Sequence, residues 1–214
     1  MKTLVIGANG KIGRIFCERA AAQGLAVRAM LRDPAQRSFF ESLGVETVLG
    51  DLEGEFGHGF EDCSRVVFTA GSGGHTGGDK TLLVDLYGAI RAIEESEERR
   101  LDHFVMVSAM RADHPLDGPP AIRHYLVAKQ LADERLRTSS VPYTILRPGR
   151  LGDEPGSGRV RTDPAAGHGM EISRENVALC ILASLGQPGS RGHSIDLLGG
   201  DQPIGELFAS LEAR

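Results

Sequence analysis

The stretch Gly7-Ala8-Asn9-Gly10-Lys11-Ile12-Gly13 decides the fold, because it joins a strand-like run to a helical pattern. Residues 3–6 form an apolar run typical of a buried strand, and apolar residues at helical spacing follow through Phe16 and Ala20. Glycines three residues apart in such a turn let a pyrophosphate approach the free N–H groups that open a helix. We therefore expect a dinucleotide-binding turn; the alternative is that the glycines serve only a tight turn.

The alternation of strand and helix continues beyond this first unit. Further strands are predicted at residues 26–31, 45–49, 66–68, 104–107, 143–146 and 194–198. Further helices are predicted at residues 34–43, opened by Asp33, and at residues 79–98, 121–138, 173–185 and 205–213. Strands that alternate with helices of this length need crossover connections. The sequence therefore predicts a doubly wound α/β fold of the Rossmann type, with a mostly parallel sheet and helices on both faces.

One domain accounts for the whole length of the sequence. A chain of 214 residues has the size of a large single domain, and it contains no linker long enough to separate a second one. We expect residues 1–214 to form a single NAD(P)-binding domain. Residues 153–171 are rich in glycine, proline and charge and interrupt the rhythm of strands and helices. They are expected to form an excursion near the substrate side of the sheet.

The overall composition argues against several classes of function. A net charge of -5, without a long block of like charge, argues against nucleic acid or an acidic membrane as a partner. No apolar run reaches the length of a membrane span. The widely spaced Cys17, Cys63 and Cys180 are expected to be free thiols, which favours a cytoplasmic location. The sequence contains neither H-E-x-x-H nor G-x-S-x-G, so neither a metal site nor a serine hydrolase is expected.

The end of the second predicted strand bears on the choice between NAD and NADP. An acidic residue at this position binds the ribose 2′-hydroxyl of NAD, whereas an arginine accommodates the 2′-phosphate of NADP. Arg32 stands 25 residues after Gly7 and favours NADP, with NAD as the less favoured cofactor. A merely solvated arginine beside Asp33 is the alternative interpretation.

Residues after the third and fourth strands continue the expected path of the dinucleotide. Asp51 and Leu52 follow the third strand, where they could contact the adenine. Ala70-Gly71-Ser72 follows the fourth strand and would line the path of the cofactor. The glycine-rich residues 71–78 form a flexible lid, a close backbone approach to the ligand, or an uninvolved loop.

A tyrosine and a lysine share one face of the helix predicted at residues 121–138. Tyr125 and Lys129 are four residues apart, in the pattern Y-x-x-x-K. An ammonium about 4 Å from a phenolate contributes roughly 4 kcal/mol at an effective dielectric constant of about 20, or about three pK units. We therefore expect a lowered pKa for Tyr125, suited to acid-base catalysis. The alternative is an exposed helical pair without a chemical role.

Three features together resemble the short-chain dehydrogenase/reductase superfamily. They are the glycine turn, the pair of Tyr125 and Lys129, and Ser108 at the end of the fifth strand, and the resemblance covers essentially the whole chain. More narrowly, the chain resembles an atypical branch described as NAD(P)-dependent epimerase/dehydratase-like or NAD(P)H-binding. The stretches that carry this narrower resemblance are residues 71–86, 125–134, 143–149 and 172–178.

The resemblance implies a role for each of these residues. Tyr125 would pass a proton during hydride transfer, Ser108 would polarise a substrate carbonyl, and Lys129 would also hold the nicotinamide ribose. Asp85 takes the place of the asparagine usual in the superfamily, with a buried or capping carboxylate as the alternative interpretation. In Arg147-Pro148-Gly149, Pro148 and Gly149 would contact the nicotinamide end of the cofactor, or would merely turn the chain.

These inferences give two hypotheses for the function. The first is an NADP-dependent oxidoreductase or epimerase acting on a small carbonyl or hydroxyl substrate, and the second is a non-catalytic NADP-binding redox sensor. Retention of both Tyr125 and Lys129 favours the first hypothesis. The expected catalytic residues are Tyr125, Lys129, Ser108 and Asp85. The expected cofactor-binding residues are Gly7, Asn9, Gly10, Lys11, Ile12, Arg32, Asp51, Leu52, Ala70, Gly71, Ser72, Lys129, Pro148 and Gly149.

Overall fold

A nine-stranded sheet lies at the centre of the protein. The structure is a computed structural model, and it describes residues 1–74, 76–165 and 169–212. The strands are β1 (Lys2–Ile6), β2 (Val27–Leu31), β3 (Glu46–Leu49), β4 (Cys63–Phe68), β5 (His103–Val107), β6 (Tyr143–Pro148), β7 (Arg150–Gly152), β8 (Arg159–Arg161), β9 (Glu171–Ser173), β10 (His193–Gly199) and β11 (Gln202–Pro203). The order in the main sheet is β11-β8-β10-β6-β5-β4-β1-β2-β3. From β10 to β3 every neighbouring pair is parallel, and the antiparallel pairings involve only β8.

Helices cover both faces of this sheet. They are α1 (Lys11–Ala22), α2 (Arg37–Ser42), α3 (Gly78–Lys80), α4 (Ala89–Glu98), α5 (Arg123–Arg137), α6 (Arg174–Gly186) and α7 (Ile204–Ala209), with a π-helix at Thr81–Gly88 between α3 and α4. Helices α1 and α6 pack against each other on one face, and α4 and α5 do so on the other. The predicted doubly wound, mostly parallel fold is confirmed.

The alternation of side chains along each strand divides the interior into two cores. Val5 of β1 packs into the core beneath α1 and α6, together with Phe16. Its neighbours Leu4 and Ile6 point to the opposite side and join the core beneath α4 and α5. Both cores are apolar on the sheet side because parallel strands are buried on both faces.

Three details differ from the sequence-based expectation. The helix predicted at residues 79–98 is not uniformly α-helical, because its central part is the π-helix. The stretch of residues 153–171 contains β8 and the start of β9, which turn chemistry alone did not predict. The last helix ends at Ala209, and two expectations reach beyond the described residues, namely the excursion at residues 166–168 and the helix end at Ala213.

Hydrogen bonds from α6 hold the residues between β7 and β8 in place. Ser173 accepts a hydrogen bond from the backbone N–H of Asn176 at 3.1 Å and so caps α6, as predicted. Asn176 is itself buried; its Oδ1 accepts from the N–H of Gly158 at 2.9 Å, and its Nδ2 donates to the carbonyl of Arg159 at 3.0 Å. The first residues of α6 therefore fix the start of the 153–171 segment.

The sheet order reverses direction between β1 and β4. From β1 the chain proceeds to β2 and β3 on one side, and from β4 it proceeds to β5 and β6 on the other. In sheets of this kind, ligands bind outside the carboxyl ends of the strands at the point of reversal. The site is therefore expected beyond Ile6 and Phe68, the last residues of β1 and β4.

Candidate functional site

A cleft of about 400 Å³ opens at the carboxyl ends of β1 and β4. Its volume lies in the range usual for small-molecule sites, about 300 to 1,000 Å³. The residues that line it are Ile6, Gly7, Asn9, Gly10, Met30, Arg32, Gln36, Gly50, Asp51, Leu52, Glu53, Thr69, Ala70, Gly71, Ser72, Gly73, Thr76, Lys80 and Val84. Nine of the expected cofactor-binding residues are among them, namely Gly7, Asn9, Gly10, Arg32, Asp51, Leu52, Ala70, Gly71 and Ser72.

Each of the three glycines of the turn is a glycine for a different structural reason. Gly7 has φ +85°, and a Cβ there would lie 2.4 Å from the backbone nitrogen of Ala70. A Cβ on Gly13 would lie 2.5 Å from the carbonyl oxygen of Gly7, so α1 could not pack on the turn. A Cβ on Gly10 would meet only that same oxygen, at 3.2 Å. Gly7 and Gly13 are thus required by the fold, whereas Gly10 leaves the mouth of the cleft open.

The start of α1 fits an anionic ligand. Gly10 caps the helix without a side-chain hydrogen bond, and the first turn contains no acidic residue. The first N–H groups of a helix have no partner within it, and the positive end of the helix dipole adds to their attraction for anions. The glycine turn and this helix end therefore fit the pyrophosphate of a dinucleotide.

The far end of the cleft carries charges of both signs. Arg32 is exposed there, at the end of β2. Asp51 accepts a hydrogen bond from the N–H of Glu53 at 3.0 Å. Glu53 in turn pairs with Lys80 at 2.6 Å, so an ion pair spans the cleft between the segment after β3 and α3. The sequence did not predict Glu53 or Lys80 as residues of this site.

A buried charge cluster, formed by Asp85, Lys129, Asp133 and Arg147, lies next to the cleft. Lys129 Nζ is 3.6 Å from Asp85 Oδ1, and Arg147 Nε is 3.1 Å from Asp133 Oδ2. Their exposed fractions are 0% for Asp85 and Asp133, 2% for Lys129 and 7% for Arg147. The cluster adjoins the cleft through Asp85, whose Oδ2 accepts the N–H of Ser72 at 3.0 Å.

Two carboxylate oxygens of this cluster and the hydroxyl of Ser108 have no partner at hydrogen-bond geometry among the described residues. They are Asp85 Oδ1, Ser108 Oγ and Asp133 Oδ1, all buried. Buried polar groups are nearly always hydrogen-bonded, so an unpartnered group calls for an explanation such as a bound ligand. Ser108 is 3% exposed and follows β5, at the same edge of the sheet as the cleft. The cluster is therefore a candidate for contact with a bound ligand.

Tyr125 lies one turn before Lys129 on α5. Lys129 Nζ is 5.8 Å from the centre of the Tyr125 ring and donates a hydrogen bond to the carbonyl of Val107 at 3.3 Å. Burial raises the pKa of Tyr125, and Lys129 offsets only part of that rise, while Asp85 and Asp133 add to it. The direction is opposite to the lowered pKa expected from the sequence, because that expectation considered Lys129 without the partial burial of Tyr125 and without the carboxylates of Asp85 and Asp133.

Some expected cofactor residues lie outside the lining of the cleft. Lys11 points to Asp153, with 2.7 Å between Nζ and Oδ2, and Ile12 is buried in the core. Pro148 ends β6, and its carbonyl accepts the N–H of Met110 at 3.0 Å. A Cβ on Gly149 would lie 2.2 Å from the carbonyl oxygen of Met170, which explains that glycine by close packing.

Asp133 and Arg147 are the main residues that the sequence-based analysis did not assign to the site. Asp133 is four residues after Lys129 and eight after Tyr125, so all three share one face of α5. That spacing could have identified it. The pairing of Arg147 with Asp133 could not have been found in the same way, because it joins β6 to α5. Burial raises the pKa of the Asp133 carboxyl, and the nearby Ser108 hydroxyl, Arg147 and Lys129 offset part of that rise.

The described residues contain neither a membrane-spanning helix nor a cluster of metal ligands. Within the described residues, no helix is both long and apolar enough to cross a bilayer. The same residues contain no group of three or more His, Cys, Asp or Glu side chains arranged to hold a metal ion.

Sequence comparison relates the chain to proteins that bind nicotinamide dinucleotides. A family described as NAD(P)H-binding matches residues 7–188. A Bacillus subtilis protein named as an uncharacterized sugar epimerase is 42% identical over 215 residues, which cover 99% of this chain and 100% of that protein. The similarity therefore extends over both the cleft and the buried charge cluster.

Solved structures have the same architecture. A Bacillus halodurans protein provisionally named an NAD-dependent epimerase/dehydratase is 41% identical, with a TM-score of 0.94, and the match covers 99% of this chain and 100% of that one. A short-chain dehydrogenase/reductase superfamily protein from Agrobacterium tumefaciens, solved with bound NAD, is 18% identical with a TM-score of 0.74, covering 100% of this chain and 84% of that one. This second likeness concerns the fold alone.

Proposed function

The chain belongs to the NAD(P)H-binding family, and from that premise we propose that it is an NADP-dependent oxidoreductase or epimerase-like enzyme acting on a small carbonyl or hydroxyl substrate. The observation that carries the proposal is that Lys129 Nζ lies 5.8 Å from the centre of the Tyr125 ring and 3.6 Å from Asp85, which reaches the dinucleotide cleft at Ser72. Asp85 links the two regions, because one of its oxygens binds Ser72 in the cleft and the other faces Lys129.

Each of these side chains has a role that its position allows. A bound nicotinamide supplies the hydride chemistry that no side chain can provide. Lys129 would hold the nicotinamide ribose, and Ser108, whose buried hydroxyl lies close to the Asp133 carboxylate, would donate a hydrogen bond to the substrate carbonyl. Tyr125 would exchange the proton with the substrate oxygen. Asp85 would orient Lys129.

Arg32 supports NADP as the preferred cofactor. It lines the cleft at the end of β2, and its exposed guanidinium is free to bind a 2′-phosphate. The family description covers both NAD and NADP, so this preference is part of the proposal. The other contacts to the dinucleotide would come from four places in the chain. These are the glycine turn with the start of α1, Asp51-Leu52, Ala70-Gly71-Ser72, and Pro148 with Gly149.

We further propose that residues 153–171 border the substrate within a single domain spanning residues 1–214. The ion pair of Asp153 with Lys11 brings the beginning of this segment to the glycine turn. The three cysteines are consistent with a cytoplasmic location, because all are free and buried. Burial raises the pKa of the Cys17 thiol to about 12, so this thiol is unreactive.

The experiment is to follow NADPH oxidation with a panel of quinones, aldehydes and sugar nucleotides. Tyr125→Phe should reduce kcat by about a hundredfold or more while NADPH binding persists, since general acid catalysis contributes about 10²- to 10⁴-fold. Tyr143→Phe is the matched control, because Tyr143 begins β6 whereas the site lies beyond the other end of that strand. A Tyr125→Phe variant as active as the wild type would remove the proposed mechanism. Binding of NADPH without turnover of any compound would favour the redox-sensor hypothesis.

A further inference from the structure

We propose that Asp85 neutralises the ammonium of Lys129 and thereby keeps Tyr125 protonated, so that Tyr125 is a proton donor for carbonyl reduction throughout the neutral pH range. The inference rests on the proposed function, since it assigns the protonation state of the same tyrosine. It also gives a role to Asp85 at the position where the superfamily that this chain resembles has an uncharged asparagine.

The geometry of Asp85 is that of a fixed counter-ion. Its Oδ2 accepts the N–H of Ser72 at 3.0 Å, and its Oδ1 faces Lys129 Nζ at 3.6 Å. Lys129 is 2% exposed and Asp85 is fully buried, so water cannot screen either charge. A buried ammonium is stable only with a compensating charge and further hydrogen bonds, and the carbonyl of Val107 supplies one such bond.

The ion pair with Asp85 weakens the stabilisation that Lys129 gives to the phenolate form of Tyr125. An isolated ammonium near the ring would stabilise the phenolate, which is the basis of the usual Tyr-Lys argument. With a carboxylate 3.6 Å from the ammonium, the negative charge of Asp85 offsets part of the effect of Lys129 on the phenol. An asparagine in place of Asp85 would hold the lysine without cancelling its charge.

The other charges around Tyr125 do not restore a net positive field. On α5 itself, Asp133 lies two turns further along, and Arg147 from β6 pairs with that carboxylate at 3.1 Å. The exposed Asp113, in the segment after β5, pairs with the same guanidinium at 3.2 Å. The four members of the buried charge cluster therefore sum to zero. Burial accordingly dominates and raises the pKa of Tyr125.

The reaction that this state serves is reduction of a carbonyl by a reduced nicotinamide dinucleotide. A bound reduced dinucleotide would supply the hydride. Its donor C–H bond would break as a C–H bond forms at the carbonyl carbon, and the π pair of the C=O bond would move to oxygen. That oxygen takes the proton of Tyr125, whose O–H bond breaks to leave a phenolate. Solvent then returns a proton to the phenolate. The products are the alcohol and the oxidised dinucleotide.

The test is a spectroscopic titration that needs neither substrate nor cofactor. The chain has three tyrosines and no tryptophan, so phenolate absorbance is read against a low background. Subtracting the titration of Tyr125→Phe from that of the parent isolates the signal of Tyr125. Measurements are confined to the pH range in which circular dichroism shows the folded protein.

The inference predicts opposite shifts for the two partners of the ion pair. Asp85→Asn should lower the midpoint of Tyr125 by at least about one pH unit, because it leaves the ammonium uncompensated. Lys129→Gln should raise it. The double variant Asp85→Asn/Lys129→Gln should titrate closer to the wild type than either single variant. Asp79→Asn, the same change at an exposed carboxylate on α3, should have no effect.

An Asp85→Asn midpoint equal to or above that of the wild type would overturn the inference. If both single variants unfold, the double variant decides, because replacing both members of a buried pair is better tolerated than removing one. A midpoint for the double variant more than about one unit above the wild type would show that Lys129 acts without compensation, and would also overturn it. These outcomes are independent of the proposed function, which fails instead if Tyr125→Phe turns over substrate at the normal rate.

Discussion

Arg32 is the residue on which the choice of cofactor depends. It lines the far end of the cleft and is exposed, so binding a phosphate would not require it to leave a buried partner. A hydrogen bond to a charged group contributes about 1.5 to 3 kcal/mol, which corresponds to roughly tenfold to a hundredfold in affinity.

Arg32→Ala should therefore weaken NADPH binding by about tenfold to a hundredfold while changing NADH binding less than about threefold. Fluorescence titration of the two reduced cofactors against the wild type and the variant measures both constants. NADH is the internal control, since it lacks the 2′-phosphate but shares every other contact. Equal losses for the two cofactors would show that Arg32 does not read the phosphate.

His103 illustrates how burial couples a single residue to the stability of the protein. It is 1% exposed, and its ring Nε2 lies 2.9 Å from the hydroxyl of Thr144. Burial lowers the pKa of His103 to about 3, and the guanidinium groups of Arg191 and Arg65 add to the effect. In the unfolded chain the imidazole regains a pKa of about 6.5. Between these two values the unfolded state binds one proton that the folded state excludes.

The free energy of unfolding should therefore fall as the pH is lowered from about 6.5 towards 3, with His103 contributing up to about 4 kcal/mol. His103→Gln should be less stable than the wild type at neutral pH but should lose less stability on acidification. Urea unfolding at a series of pH values measures the slope. The exposed His114 provides the control, and His114→Gln should keep the wild-type slope. Parallel curves for the wild type and His103→Gln would exclude this role of His103.

In the turn between β1 and α1, one glycine is required by the fold and another leaves room for the ligand. Gly13 packs α1 on the turn, whereas Gly10 has φ -69° and faces the mouth of the cleft. Gly13→Ala should lower the free energy of unfolding by about 2 kcal/mol or more, because a methyl group would collide with backbone that cannot move.

Gly10→Ala should instead cost less than about 1 kcal/mol of stability but weaken dinucleotide binding at least about tenfold, since its methyl group occupies the approach to the pyrophosphate. Chemical denaturation and calorimetric binding, applied to both variants, separate the two effects. Full-strength NADPH binding by Gly10→Ala would contradict the assignment of this turn as the pyrophosphate site.

The success of the sequence-based predictions also varies from element to element. The strands of the parallel sheet could be predicted because each is a short apolar run that needs burial on both faces, as at residues 104–107. Strand β8 could not, because it has only three residues and is set by its antiparallel pairing with β10. The π-helix has the same apolar composition as an α-helix, so the sequence pattern could not distinguish the two kinds of helix.

The candidate site was predictable to the extent that it follows local spacing. The glycine turn and the spacing of Tyr125 and Lys129 are both readable within a few residues. The charge balance around Tyr125 depends on Asp85 and Arg147, which come from different elements and meet only through the tertiary fold. Consequently nine residues of the cleft lining could be named in advance, but the direction of the Tyr125 pKa shift could not.

For the molecule as a whole, the question is whether the two cores unfold together. Phe16 is fully buried in the core beneath α1 and α6. The tyrosines belong to the other layer, with Tyr125 on α5 and Tyr87 in the π-helix, while Tyr143 packs against the core beneath α4 and α5. Tyrosine fluorescence therefore reports the layer that does not contain Phe16.

Phe16→Ala should lower the free energy of unfolding by about 3 to 4 kcal/mol, because it leaves a large cavity. Tyrosine fluorescence and circular dichroism should show the same shift in urea midpoint, since one continuous sheet joins the two cores. Phe104→Ala, in the other core, provides the reciprocal measurement. A tyrosine transition that stays at the wild-type midpoint in Phe16→Ala would show that the two layers unfold separately.

The packing of α1 against α6 has a consequence for the order in which the protein is made. Helix α1 emerges from the ribosome before α6, the helix that packs against it and ends at Gly186. Until then, a nascent chain would leave part of its apolar surface open to chaperones and to aggregation. The glycine turn therefore acquires its full support only after α6 has been made, and a chain that stops before α6 would carry the glycine motif without the helix that packs against α1.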